Sequence, residues 1–164
     1  MTDVRIININ TPWAVELDWL LTPIGRLDES DELATMAKVA LGTDGLADVD
    51  DILPDIDSSD RRGWWGDLDA ELIWGGWKIG SRLWLLARSK ITPQEAEQGS
   101  TLARAEWYTR EALVPFINKR ICQHVTVAAW RTERERIEVR TTIYRGPQPA
   151  IALEYQALWA GIRN

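Results

Sequence analysis

Six aspartates, Asp48, Asp50, Asp51, Asp55, Asp57 and Asp60, form the densest set of potential metal ligands in the chain. Calcium takes oxygen donors at such spacing, but an EF-hand loop also needs a ligand at position 5, Gly at 6 and Glu at 12. A loop starting at Asp48 places Ile52 at position 5, and one starting at Asp55 places Asp60 at 6 and Gly66 at 12. Both registers fail, and a solvated acidic loop is expected. Carboxylates beside tryptophan also suit glycoside hydrolysis, in which two acids flank the bond and aromatic rings stack on the sugar. No spacing here selects such a pair. Cys122 and His124 stand two residues apart, as a thiolate and its base could, yet no third group is placed to orient them. The chain also lacks a P-loop and a dinucleotide fingerprint. We therefore expect no catalytic residue, no metal site and no cofactor.

One segment is different. Asp60-Arg61-Arg62-Gly63-Trp64-Trp65-Gly66-Asp67 packs two arginines, two tryptophans and two glycines into eight residues. The glycines permit tight turns around the Trp pair. A guanidinium can stack on indole and still bind a carboxylate. Two compatible readings follow: a self-packed loop with an internal Arg–Trp stack, and an anchor in a protein–protein interface.

Elements must position these residues. Residues 4–9 alternate and are β-branched, which predicts a strand, and Trp13 to Leu21 predicts a second strand or an extended arm within an N-terminal segment 1–27. Residues 28–42 predict a helix, with Ser30 as N-cap, an apolar stripe of Leu33, Met36, Ala37, Ala40 and Leu41, and Gly42 as its stop. Residues 43–80 form a Trp-, Gly- and Asp-rich loop region. Arg82 to Ala87 predicts a short buried helix. Thr92-Pro93-Gln94-Glu95 is a capping box opening a helix that runs to about Asn118. Its apolar face is expected to carry Ala96, Ala103, Trp107, Val114 and Ile117, with Leu102, Leu113 and Phe116 beside it, Glu106 and Arg110 paired and a kink or loosening at Pro115. Val125, Val127 and Ala129 alternate, as do Ile137, Val139, Thr141 and Ile143, so residues 123–145 predict a β-hairpin. Residues 150–160 predict a final helix, with Ile151, Tyr155, Leu158 and Trp159 on one side. The fold class is α+β in a single domain spanning 1–164, with helices packed on a small antiparallel sheet.

Composition narrows the function. The chain has 164 residues, 45% hydrophobic and 27% charged, within the range of one domain. Cys122 is the only cysteine, which excludes an intramolecular disulfide and a cysteine-based zinc site. The charged N-terminus predicts no signal peptide, and no apolar run reaches the ~18 residues of a membrane span. The net charge of -6 hides an asymmetry: residues 1–75 hold 17 acidic and 5 basic residues, and residues 76–164 hold 8 and 14. The later cations alternate with Glu in Arg131-Thr-Glu-Arg-Glu-Arg136, unlike a phosphate-binding track, so neither nucleic acid nor membrane is expected as a partner. Ten tryptophans against one Phe suggest a binding or assembly role. A Trp-based carbohydrate-binding module and a lysozyme-like cell-wall protein are the alternatives.

Leu53-Pro54-Asp55, the double-Trp motif of residues 60–67, Gly80-Ser81-Arg82-Leu83-Trp84-Leu85-Leu86, Lys90-Ile91-Thr92 and Arg110-Glu111-Ala112-Leu113 together resemble the Mu-like phage baseplate protein family, over about residues 15–159. That family looks like the gene-25-like wedge proteins of contractile tails. The resemblance implies a structural virion protein, present in several copies around the tail axis. Its implied partners are other wedge and hub proteins and the tail sheath protein, and the sheath would pair with the hairpin as a free β-edge. The relatives carry Glu-Pro-Arg before the hairpin; here the stretch is Ile117-Asn118-Lys119-Arg120-Ile121, in which Arg120 matches. The expected protein-interaction residues are Arg61, Arg62, Trp64, Trp65, Asp67, Arg120, Val125, Val127, Val139 and Arg140.

Overall fold

A computed structural model describes residues 6–10, 15–19, 21–24, 32–55, 57–87, 100–133, 136–147 and 149–158. The expected N-cap Ser30 and the capping box at 92–95 lie outside the described residues. Strands β1 (Ile6–Asn10) and β2 (Val15–Trp19) pair antiparallel, with Ile6 opposite Trp19. Helix α1 (Glu32–Gly42) buries Leu33, Ala37, Ala40 and Leu41, the stripe its periodicity predicted. The loop region contains a 3-10 turn, Trp65–Asp69, running into the short helix α2 (Ala70–Ile73). A second 3-10 segment, Arg82–Leu86, is buried throughout, as expected of a segment apolar on most sides. Helix α3 (Ser100–Asn118) leads to β3 (His124–Glu133), β4 (Arg136–Tyr144) and β5 (Pro149–Leu158).

The α+β class predicted from sequence is the one observed: helices cover an antiparallel sheet that includes the C-terminal hairpin. One element differs. The predicted helix at 150–160 is replaced by β5, a third strand pairing antiparallel with β4. The sheet order is β3-β4-β5, so β4 is central. Ile151, Tyr155 and Leu158 fit a helical period, but Ile151, Leu153, Tyr155 and Ala157 also alternate. The register sets them opposite Ile143, Thr141, Val139 and Ile137, and pairing with β4 selects the two-residue period.

The core has two parts. In one, Leu83–Leu86 are wedged with Ala105 and Tyr108 of α3 against Val127, Ile137 and Val139. In the other, α1 packs Leu33, Ala37 and Leu41 on Leu113 and Phe116 of α3, with Cys122 and Ile143 beneath. Helix α3 is rotated from its predicted orientation. Its buried face carries Thr101, Ala105, Tyr108, Thr109, Ala112, Leu113 and Phe116, whereas Trp107 is 51% exposed and Val114 and Ile117 face outward. The apolar arc of α3 is wider than one face, and the side holding Tyr108, Leu113 and Phe116 fills more volume against the sheet. Thr109 is tolerated inside because its hydroxyl donates to the Ala105 carbonyl at 2.8 Å. Glu106 does not pair with Arg110 among the described residues. Its Oε1 accepts the Ala129 backbone N–H of β3 at 2.9 Å, so α3 caps one amide of that strand.

Helix α3 passes through Pro115 and closes at Arg120. The Ile121 N–H donates to the Phe116 carbonyl at 2.8 Å and the Arg120 N–H to Ile117 at 3.0 Å, with Arg120 at φ 59°. This is a Schellman closure with arginine at a position that favours glycine. Arg120→Gly should raise stability by about 1 kcal/mol, read as an increased urea midpoint. A variant that is more stable but fails to assemble would assign the Arg120 side chain an interaction role beside its structural one.

Candidate interaction surface around Arg82

The acidic loop and helix α3 meet in space through one arginine. Arg82 sits in the buried 3-10 segment and reaches three carboxylates that lie far from it in the chain. Nη1 binds Asp48, and Asp51 at 2.8 Å; Nε and Nη2 hold Glu111 of α3 in a two-pronged grip at 3.0 and 2.6 Å. The guanidinium also lies 4.8 Å from the Trp107 ring centroid and 5.3 Å from that of Tyr108. Burial alone would lower the Arg82 pKa, but hydrogen bonds to Glu111 and Asp51 and their charges outweigh it, and the cation is held above its ordinary value. The partly exposed Trp107 thus forms one wall of the Arg82 site. Sequence reasoning missed Arg82; the available signal was a lone cation in an otherwise apolar segment.

The aspartate loop is consumed by the chain itself. Asp51 accepts the Asp48 N–H at 2.8 Å, Asp60 accepts the Arg62 N–H at 2.8 Å, and Ser58 accepts the Asp60 N–H. The Asp60 and Ser58 contacts, each to an N–H two residues on, are Asx- and ST-type turns. Among the described residues no three acids, histidines or cysteines converge as a metal site would require. Cys122 lies in the core, where burial pushes its thiol pKa up, while His124 is exposed and stacks on Tyr144 at 4.0 Å. A raised thiol pKa opposes thiolate nucleophilicity.

The double-Trp loop divides into inward and outward parts. Arg61 donates to the Ala47 carbonyl, and the Ala47 N–H returns a bond to Arg61 at 3.0 Å, so Arg61 straps two loop segments together. Arg62 pairs with Asp44 at 2.6 Å and stacks 4.5 Å above Trp84 of the Gly80–Leu86 motif, where a stack internal to the double-Trp loop was expected. Trp84 is itself fixed by donating Nε1–H to the Gly45 carbonyl at 2.8 Å. Asp67 turns inward, its Oδ1 accepting the Ile79 N–H at 2.9 Å. The Trp64 ring lies on Gly66, where any Cβ would strike it, and meets Trp65 at 5.5 Å. Trp65 points to solvent.

Of the remaining expected residues, Arg120 is exposed at the α3 closure, and Arg140 is exposed and stacks 5.3 Å from Trp130. Val127 and Val139 are buried and Val125 packs beside them, so their side chains belong to the core. Val139 and Arg140 lie on the central strand, which is paired on both sides, and not on a free edge.

A family model for phage protein GP46 matches residues 33–149, a narrower span than the resemblance suggested. The chain is also similar to the baseplate protein gp46 of Escherichia phage Mu, 42% identical over 113 residues, which cover 69% of this chain and 66% of that protein. About a third of the Mu protein therefore lies outside the match. The matched span takes in α1, both loop motifs, α3 and the β3–β4 hairpin, and on that extent the chain belongs to the phage protein GP46 family.

Proposed function

We propose that this chain is a structural, non-enzymatic subunit of a contractile phage tail baseplate, assembled with other wedge and hub proteins and, through its sheet, with the first ring of sheath. The observation that carries the reading is the 42% identity to the Mu baseplate protein. The geometry is consistent with it: charged groups are spent on straps and turns that stiffen loops, and aromatic surface is left outside. We take the sheath contact to lie at the hairpin, as the likeness to gene-25-like wedge proteins read from the sequence implies. Among the described residues, β3 is the strand of that hairpin with an unpaired side, partly capped by Glu106.

Deleting the gene from a tail-producing phage should abolish contractile tails in negative-stain images, and complementation should restore them. Normal contractile tails from the deletion would sink the reading. For the sheath contact, Val127→Pro on the edge strand, checked for folding by circular dichroism, should leave baseplates without attached sheath. Normal sheathed tails from the folded variant would remove β3 as the contact. Val139→Pro is unsuited to this purpose because it would break the central strand.

A further inference from the structure

The turn Trp65–Asp69 and helix α2 expose a run of apolar side chains that the core never uses. Trp65 is 79% exposed, Leu68 88% and Leu72 86%, with Ile73 and Trp74 also open to solvent. Trp65 and Leu68 are three apart within the 3-10 turn and so share a side, and Leu72 and Ile73 follow on α2. This apolar ridge is held in place. Asp67 is tied to Ile79, Ala70 is buried at the base, and its carbonyl accepts the N–H groups of Trp74 at 2.9 Å and Gly76 at 3.0 Å. Lys119 Nζ donates to the Gly75 carbonyl at 3.2 Å and ties the ridge's end to α3. Ordering cost on docking is therefore small, and large rigid apolar side chains are those that dominate interface energetics.

Charge identifies the kind of partner. Residues 63–77 contain Asp67, Asp69 and Glu71 and no cation. Asp67 turns inward, which leaves Asp69 and Glu71 exposed beside the apolar row. Lys119 sits at the far end of the ridge on the Gly75 carbonyl, so the acidic charge lies along the Asp69–Glu71 flank, which is repelled by an anionic lipid surface and attracted to a groove edged with cations. A second copy is the weaker fit. Among the described residues, the apolar face flanked by cations is the α3 stripe of Trp107, Val114 and Ile117 beside Arg104 and Arg110, and a helix face is itself convex.

We propose that Trp65, Leu68, Leu72, Ile73 and Trp74 insert into an apolar groove rimmed by Lys or Arg on a different protein of the baseplate. This rests on the baseplate reading above and names the partner chemistry of the loop region. The test places a benzophenone photo-cross-linker at Leu72 in the full chain, within tails assembled by the encoding phage, and maps cross-linked peptides by mass spectrometry. The expected product joins Leu72 to one peptide of another tail protein with apolar residues flanked by Lys or Arg. The doubly substituted Leu68→Glu, Leu72→Glu chain should keep its melting midpoint, because both side chains are solvent-exposed, and fall about tenfold or more in incorporation. Cross-linking to α3 of the same protein, or normal incorporation of the folded double variant, would overturn the proposal. Presence of the chain in tails without any cross-link at Leu72 overturns this inference alone; absence of the chain from tails overturns the baseplate reading as well.

Discussion

Arg82→Leu should lose about 2–3 kcal/mol of stability, the largest single effect expected of a charged residue in this chain. Leucine matches the apolar surroundings of the 3-10 segment, so packing alone predicts little harm. The damage comes from the partners. Asp48, Asp51 and Glu111 converge on one guanidinium, and removing it leaves three carboxylates facing one another. Asp51 is the most enclosed of the three and contributes most of the penalty. Arg82→Lys should recover only part of the loss, because an ammonium cannot grip Glu111 with two parallel donors or stack broadly on Trp107 and Tyr108. Chemical denaturation of the three chains checks both statements. An Arg82→Leu protein as stable as the parent would mean that the carboxylates are satisfied by water and that the node is ornamental.

Gly80→Ala should cost roughly 3 kcal/mol, from overlap and backbone strain together. Gly80 has φ +125°, a conformation open to glycine and costly to other residues. A Cβ there would also lie 2.7 Å from the Gly45 nitrogen and 2.8 Å from its Cα, both backbone atoms that cannot rotate away. This close approach lets Asp44 and Ser81 form a bridge, in which Gly45 N–H donates to Ser81 at 2.9 Å and Ser81 N–H to Thr43 at 2.9 Å. The same bridge brings the Gly45 carbonyl to Trp84 Nε1. The substitution should therefore lower the thermal midpoint and also change Trp84 fluorescence, since the ring loses its fixed partner. A shift in midpoint with unchanged tryptophan emission would separate strain at Gly80 from the placement of Trp84.

Both predictions sit in the stretch Gly80-Ser81-Arg82-Leu83-Trp84, which was legible as a family motif before its physics was. Gly80 closes two backbones, Ser81 donates its hydroxyl to the Leu41 carbonyl at 2.8 Å, Arg82 gathers three acids and Trp84 carries Arg62 on its face. None of these partners is near in sequence, so no local pattern could reveal them. The double-Trp motif predicts an interface anchor, and the structure divides it residue by residue. Arg61, Arg62 and Asp67 are turned to internal partners, whereas Trp65 is left outside.

Local patterns determined the helix α1, the β3–β4 hairpin, the buried Arg82–Leu86 segment and the α+β class, because periodicity and turn residues act over a few residues and express themselves wherever one face must be buried. Charge asymmetry and tryptophan excess were likewise plain in the composition. Tertiary structure decided three other matters. It made 149–158 a strand, since two periods fitted those residues and pairing with β4 selected one. It turned Trp107 outward, since α3 offered more apolar arc than the sheet could cover. It brought Asp48, Asp51 and Glu111, which lie 29 to 34 residues from Arg82, to a single cation, since a charge entering the core must find compensation wherever the fold can bring it.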